Sequence, residues 1–386
     1  MNRPDLVNDP KVVMIITGEA SGDLHASKLV RALRRRSRDL FFCGIGGQAL
    51  KDEKVRILVD ASALAAVGIT ESFAKIPGIL KKLVFVKMYI KSLRPDLLIL
   101  LDFPEFNLNV ASTAKKNGIP ILYYISPQFW AWRPGRINKI KKLVNHVAVV
   151  LPFEEDFYRK HEIPVTFVGH PLLDSNLPPV DMKNEKGIQI NPIIGFLPGS
   201  RDKEIERHLP IMLNAARILC NRKKNVKFII SIAHTVNRKL VEKIVEKYQQ
   251  ADEFELLANH VEKVFERSEL VVATSGTVTL EAAIFGTPGL IIYKVSPVSY
   301  LVGKILVKVQ HIGLANLIAG REIMPEFIQK QATPENIAET MEKMLNDPSA
   351  LERSRKELLG IRKALGGPGA SERVADLAIQ MLGNSL

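Results

Sequence analysis

Residues 270–294, LVVATSGTVTLEAAIFGTPGLIIYK, decide the fold. Residues 270–273 are a short apolar run, bounded by a turn of small residues, Thr274-Ser275-Gly276-Thr277. That pattern reads as a buried strand and a tight turn. A helix follows, with Thr277 or Thr279 placed to cap it. Glu281 lies in or near its first turn, where a carboxylate suits the positive end of the helix dipole. Pro288-Gly289 ends the helix, and residues 290–293 form the next buried strand. Strand, turn, helix, strand, with both strands apolar throughout, is a parallel α/β unit. The turn offers backbone N–H groups at a helix N-terminus, which suits a diphosphate. Glu281 would then accept hydrogen bonds from an attached ribose diol. An ordinary βα unit with a polar turn fits these residues equally well.

Working outward, the same plan recurs. Residues 12–16 are apolar and lead into Gly18-Glu19-Ala20-Ser21-Gly22-Asp23. In the helix beyond, Ala26, Leu29, Val30 and Leu33 fall on one face, and Arg31, Arg34, Arg35 and Arg36 take the solvent side. The loop lacks the third glycine of a dinucleotide fingerprint and the Gly-Lys pair of a P-loop. Residues 40–47 form a second strand ending in Gly44-Ile45-Gly46-Gly47, where a backbone or ligand can approach closely. Residues 97–101 form another, ending in Asp102-Phe103-Pro104-Glu105-Phe106-Asn107. A carboxylate at the C-terminal end of a parallel strand lies where α/β sheets put their chemistry. Residues 119–125 precede Ser126-Pro127-Gln128-Phe129-Trp130-Ala131-Trp132-Arg133 and a basic run at Arg136, Lys139, Lys141 and Lys142. Strands at 147–151 and 165–168 close this half at Gly169-His170-Pro171, where His170 fits a catalytic role but, before a proline at a domain edge, fits a structural one better.

A polar, proline-containing linker at 177–192 marks the domain boundary. Beyond it come a strand at 193–197, the loop Pro198-Gly199-Ser200-Arg201 and a strand at 226–232. The last helix starts near Ser371 with Val374, Leu377, Ala378 and Met381 on one face. The expected domains are therefore 1–175 and 176–358, with a helical segment, 359–386.

The 386 residues are 46% hydrophobic and 25% charged, as in a soluble globular protein. Two distant cysteines, Cys43 and Cys220, exclude a disulfide framework and suggest a reducing compartment. No signal peptide or membrane-spanning run is visible. The net charge of +13 points to an anionic partner: nucleic acid, a membrane surface or a phosphorylated substrate. With 6% aromatics and no recognisable nucleic-acid module, nucleic acid is set aside. Residues 79–93 are basic and amphipathic, with Ile79, Leu83, Val86, Ile90 and Leu93 at helical spacing and Lys81, Lys82, Lys87 and Lys91 between them. They fit either a helix on a sheet with solvated lysines or a membrane-surface element. Residues 300–309, with Lys304 and Lys308, have the same character.

Several separated motifs agree in order: GEASGD at 18–23, GIGG at 44–47, VGI at 67–69, DFPEFN at 102–107, SPQFWAWR at 126–133, VGHPL at 168–172, LPGSR at 197–201, TSGTVTLE at 274–281 and NLIAGRE at 316–322. Through them the chain resembles the lipid-A-disaccharide synthases along nearly its whole length. The resemblance implies an α/β GT-B fold: two facing Rossmann-like domains with parallel sheets and a central cleft, the 359–386 segment packing back on the first. It implies an inverting transfer from UDP-2,3-diacylglucosamine to the 6-hydroxyl of 2,3-diacylglucosamine 1-phosphate. The products are a β(1→6) disaccharide 1-phosphate and UDP, in a Gram-negative bacterium. Carried over by motif, Asp102 matches the proposed general base, and Glu19 and Gly22 match the loop facing the sugar. Arg201, Ser275, Gly276, Glu281 and Asn316 match the UDP-sugar side. The chain departs from the family pattern at Ala66, where methionine is common, at Glu105, where aspartate is usual, and at Ala315, where proline is common.

An inverting transfer needs one base for the acceptor hydroxyl and a stabilised leaving diphosphate. Asp102 supplies the first; anion-binding turns and the planar donor fork of Arg201 supply the second. With no paired carboxylates on a suitable loop, neither a metal nor another cofactor is expected. Acylated substrates stay at a bilayer, since each buried CH₂ contributes about 0.8 kcal/mol. Each Lys or Arg near an anionic leaflet adds about 1 kcal/mol. Lys81, Lys82 and Lys87 are thus expected to dock the protein on the anionic inner-membrane surface, from the cytoplasmic side and peripherally. Other readings stay open: another GT-B UDP-sugar enzyme with a different lipid-linked acceptor, a 2-epimerase, or a non-catalytic basic membrane-binding protein. A homodimer exchanging C-terminal segments would read identically.

Overall fold

Strands β1 (Lys11–Ile16), β2 (Leu40–Gly46), β3 (Arg56–Asp60), β4 (Leu97–Leu101), β5 (Ile121–Tyr124), β6 (His146–Val149) and β7 (Val165–Phe167) form one sheet in the computed structural model. Its order is β3-β2-β1-β4-β5-β6-β7, and every pairing is parallel. The cause is visible in the side chains. The five residues of β4, LLILL, are all buried, so both faces need cover, which is the condition that favours a parallel sheet with helices on each side. The structure describes residues 10–61, 72–132, 134–174, 191–223, 225–248, 254–297, 300 and 309–383.

A second parallel sheet contains β8 (Ile193–Leu197), β9 (Lys227–Ile232), β10 (Phe254–Ala258), β11 (Leu270–Thr274), β12 (Gly289–Tyr293) and β13 (Glu326–Ile328). Its order is β10-β9-β8-β11-β12-β13. Phe196, Phe228 and Phe254 pack in series across three of these strands, with neighbouring ring centroids 5.2–5.3 Å apart. In both sheets the strand order reverses once, between β1 and β4 and between β8 and β11. Loops leaving the carboxyl ends of strands at such a reversal diverge and leave a crevice for ligands.

The chain divides into two compact units, residues 1–175 with 365–386, and residues 176–364. Helix Pro348–Ala364 belongs to the second unit, so the chain re-enters the first at Leu365, later than residue 359. There Asp174 accepts hydrogen bonds from the N–H groups of Gly369, Ala370 and Ser371 (2.7–3.1 Å), and the His170 N–H donates to Leu365 O (2.9 Å). Helix Ala370–Gly383 then packs on helix Ala20–Arg36, where Arg35 and Arg36 pair with Glu372 and Asp376. Its buried face is Val374, Ala375, Ala378 and Leu382; Leu377 and Met381, expected there, are only half-buried.

Sequence patterning anticipated most strands of both sheets, but not the short β3, β10 and β13. The linker expected at 177–192 and the VGI motif at 67–69 fall largely or wholly outside the described residues. So do Arg133 and most of the basic stretch at 300–309.

Candidate active site

In the first unit, the reversal between β1 and β4 brings together Glu19, Gly22 and Asp102. Glu19 is the exposed N-cap residue of helix Ala20–Arg36. Gly22, one turn in, faces the strand end. A Cβ there would overlap Thr17 Oγ1 and sit 2.5 Å from Asp102 Oδ2. Gly18 does the same for the next residue, since its Cβ would lie 2.6 Å from Phe103 Cγ. The two glycines of GEASGD are therefore the space that Asp102 and Phe103 occupy. Asp23 completes the cluster by accepting from the N–H groups of Gly47 (2.6 Å) and Ala49 (2.9 Å). The close approach expected at Gly46-Gly47 is thus made by a carboxylate of the same chain.

Asp102 and Phe103 both lie in the left-handed region, with φ of +48° and +43°. Side-chain-bearing residues avoid it at a cost of about 1–2 kcal/mol each, and such strain clusters at functional sites. The Asp102 carbonyl accepts from Asn107 Nδ2 and from Tyr123 Oη, both at 2.7 Å, and Asn107 Nδ2 also donates to Leu101 O (2.9 Å). Burial, with the Glu19 charge adding to it, pushes the Asp102 carboxyl up from 3.8 to about 7. A carboxyl in that range takes and releases protons at neutral pH.

In the second unit, the reversal between β8 and β11 brings together the turns holding Arg201 and Ser275-Gly276. Thr274 Oγ1 donates to Leu197 O (3.4 Å), tying the two strand ends. In the β8 turn, Gly199 has φ +129°, and the Glu204 side chain folds back to accept from the Ser200 N–H (2.9 Å). Arg201 caps helix Asp202–Arg222 through its backbone and leaves its guanidinium exposed, 3.4 Å from Glu204. His208 links this turn to β12: its Nδ1 donates to Pro198 O (3.2 Å), and Nε2 accepts from the Lys294 N–H (3.0 Å).

In the β11 turn, Gly276 has φ +154° and no atom within 4 Å of where a Cβ would stand. Among the described residues, no hydrogen bond takes up the N–H groups of Gly276, Thr277 and Val278. The expected side-chain cap is not made: Thr277 is the N-cap without a side-chain bond, and Thr279 Oγ1 donates back to Gly276 O (2.9 Å). Those N–H groups therefore stay available to an anion. Ser275 Oγ donates to Ile312 O (2.8 Å). Glu281 lies in the first turn of helix Val278–Phe285. Burial, then the charge of Glu262, lifts its carboxyl to about 7.

Asn316 turns its side chain into the protein. It is fully buried, its amide donates to Met324 O (2.7 Å) and Glu326 Oε1 (2.8 Å), and its Oδ1 accepts from the N–H groups of Ile323 and Met324 (both 2.9 Å). Glu326 also accepts from Ile312 and Gly313 N–H (both 2.9 Å). Through Glu326 this network reaches the segment that Ser275 touches. His170 is buried as expected, its Nδ1 accepting from the Leu172 N–H (3.2 Å). Glu105, where the family pattern has the shorter aspartate, forms an ion pair with Arg136.

Helix Ser72–Leu93 carries Lys81, Lys82 and Lys87. Val86, Ile90 and Leu93 are buried in the core of the first unit, with Ile79 and Leu83 packed beside them. A second apolar face points to solvent: Leu80, Val84, Phe85 and Met88 are 53%, 56%, 45% and 63% exposed. Sequence reading missed that face, although the 80, 84, 88 spacing is as regular as the buried one. It also passed over Asn107, which sits inside a quoted motif, and Tyr123, which carried no local signal. Among the described residues, no helix is long and apolar enough to cross a membrane, and no cluster of three or more His, Cys, Asp or Glu could hold a metal ion.

Comparison with known proteins follows the same lines. Solved structures of similar fold include the UDP complex of S. aureus MnaA, at a TM-score of 0.63 with 16% identity over 97% of this chain and 98% of that one. Another is the UDP-GlcNAc 2-epimerase from Neisseria meningitidis bound to UDP-GlcNAc, at a TM-score of 0.63 with 12% identity over 96% and 100%. The two parallel-sheet Rossmann-like domains are those of the GT-B fold. In sequence, the lipid-A-disaccharide synthase of Syntrophus aciditrophicus is 43% identical over 97% of this chain and 99% of its own length. That of Geobacter metallireducens is 43% identical over 97% and 98%, and that of Myxococcus xanthus 37% over 97% and 99%. The family model for lipid-A-disaccharide synthetase matches residues 13–376. Agreement at this identity across both units places the chain among its relatives as a whole: it belongs to the lipid-A-disaccharide synthase family.

Proposed function

We propose that Asp102 is the general base of the reaction by which this glycosyltransferase of lipid A biosynthesis joins its two acylated sugars. The turns after β8 and β11 receive the UDP part of the donor. The observation that carries the proposal is the state of Asp102: a strained, half-buried carboxyl at the end of β4, raised to about 7 by burial and by Glu19. Its carboxylate form takes the proton of the acceptor 6-hydroxyl as that oxygen bonds to C1 of UDP-2,3-diacylglucosamine. The C1–O bond to the diphosphate breaks with inversion, and UDP leaves with the bonding pair. The acceptor is 2,3-diacylglucosamine 1-phosphate. The free N–H groups of Gly276, Thr277 and Val278 and the guanidinium of Arg201 stabilise the departing charge. Glu281 accepts from the ribose hydroxyls, and those donors stabilise its carboxylate against the burial that raises its pKa.

The acceptor is held in a bilayer by its acyl chains, so the protein works at a membrane surface. The outward face of helix Ser72–Leu93 supplies four exposed apolar side chains next to Lys81, Lys82 and Lys87. Insertion of the former and attraction of the latter to anionic lipid act together. The test is mass spectrometry of the product formed from the two diacylated precursors. Wild-type protein yields the disaccharide 1-phosphate and UDP, and Asp102→Asn yields almost none. Disaccharide formed at the wild-type rate by Asp102→Asn overturns the base; no disaccharide from wild type overturns the reaction. Soluble UDP-N-acetylglucosamine alone serves as a second arm, because an epimerase would act on it without an acceptor.

A further inference from the structure

We infer that Asn107 and Tyr123 are positioning residues that hold the Asp102–Phe103 backbone in its left-handed conformation and so fix the direction of the Asp102 carboxylate. The inference rests on the reading of Asp102 as base. Two successive residues with side chains occupy the left-handed region, which the bulky Phe103 strongly disfavours and Asp102 tolerates better. Phe103 is kept there partly by the empty space at Gly18 and by stacking on Phe106, with centroids 5.1 Å apart. Neither contact holds the peptide between the two residues. That peptide is gripped through its carbonyl, the Asp102 oxygen, by Asn107 from the first turn of helix Pro104–Lys116 and by Tyr123 from β5.

Both donors are fully buried, so no solvent competes for these bonds. The Asn107 side chain ties two successive carbonyls together. Its amide nitrogen donates twice, to Leu101 O and Asp102 O, yet its Oδ1 has no partner among the described residues. The carbonyl of a residue with positive φ is thus held by two side chains that no water reaches. If the turn relaxed to an ordinary conformation, the Cα–Cβ bond of Asp102 would swing out of the notch at Gly22. The carboxylate would leave both its burial and the field of Glu19.

The test compares Tyr123→Phe, Asn107→Leu and Asp102→Asn. Tyr123→Phe and Asn107→Leu are expected to lower kcat about 10- to 100-fold with KM unchanged, as loss of reacting geometry does. They are also expected to move the acid limb of the pH–rate profile downward from near 7, because the carboxyl regains water. Asn107→Leu also takes the side-chain donor from the buried Leu101 carbonyl, so its Tm should fall; Tyr123→Phe spares that bond and should lose kcat with little change in Tm. Wild-type kcat in both variants, with Asp102→Asn inactive, overturns the positioning role and leaves the base intact. A loss of kcat that tracks loss of Tm, with the acid limb unmoved, also overturns it. Full activity in Asp102→Asn removes the base and this inference together. If Asn107→Leu does not fold, Tyr123→Phe gives the same readouts.

Discussion

Gly22 is the gap that Asp102 fills: a methyl group on the glycine would stand 2.5 Å from the Asp102 Oδ2 atom, with Thr17 Oγ1 blocking the other side. The two residues come from different motifs, one in a helix and one at a strand end, and a side chain at 22 would not fit beside the carboxylate. Gly22→Ala should therefore displace the carboxylate while sparing the strands beneath it. A misplacement of about 1 Å at a reacting group costs on the order of 100-fold in rate. Steady-state kinetics should show that loss in kcat, with the far-UV circular dichroism spectrum unchanged. Retention of more than about a tenth of wild-type kcat would show that the notch does not set the base's position.

Asp102 should also show a trade between activity and stability. Its carboxyl titrates near 7 in the folded protein and near 3.8 in the unfolded chain. Between those values the folded state holds a proton that the unfolded state has lost, so this group's contribution falls as pH rises through that window. Above about 7 the folded protein bears a buried charge in full. Asp102→Asn removes it, and should raise stability at pH 8 by on the order of 1–2 kcal/mol after allowance for solvent screening. At pH 4 the two proteins should melt together. The wild-type rate should rise with pH through about 7, which stopped assays across pH 5.5–8.5 would measure.

The outward face of helix Ser72–Leu93 gives a separable prediction. Changing Leu80, Val84, Phe85 and Met88 to serine leaves the buried face untouched, so the fold should hold. Binding to vesicles containing anionic lipid, read by flotation, should weaken by at least about tenfold, since each large apolar side chain contributes about 1.5–3 kcal/mol when fully buried. Lys81→Glu, Lys82→Glu and Lys87→Glu together should weaken it further at low salt and less at high salt. Unchanged flotation in both sets would remove this helix from the membrane surface.

The anchor of the C-terminal helix should loosen in acid. Burial, and next the charge of Lys28, lowers His25 to about 4; burial, and next His25, lowers His170 to about 3. Both rings are therefore neutral in the folded protein, while the unfolded chain takes up protons near 6.5. Their contribution is intact above that value and is lost as pH falls below it. Protection factors in residues 370–383, each referred to the intrinsic exchange rate at its own pH, should fall between pH 7 and pH 5; unchanged protection would sever the link between these histidines and the anchor.

Much of this was legible in the chain. LLILL before Asp102 reads as a buried parallel strand with a carboxylate at its working end, and it is one. The βαβ unit at 270–293 is where its pattern put it. Of the four edge strands only Val165–Phe167 was legible. Arg56–Asp60 has charged ends and is half-exposed, and Glu326–Ile328 is only three residues long, so neither offers the apolar run that marks an interior strand. Within the site, local pattern finds a side chain but not its absence: Gly22 matters because of an atom 80 positions away, which no window spans. Asn316 shows the converse. Its place in a motif suggested contact with substrate, and only the three-dimensional network shows that all its bonding capacity is spent inside the protein.

The return of the chain to its first unit has a consequence for biosynthesis. Helix Ala20–Arg36 waits for a partner that the ribosome delivers only after the whole of 176–364 has emerged. Until then its packing face, and the arginines destined for Glu372 and Asp376, have no intramolecular cover from that side. The second unit, contiguous in sequence, is under no such delay and is free to mature first. A nascent chain stalled before residue 365 should therefore expose a protease-sensitive N-terminal half next to a resistant second one.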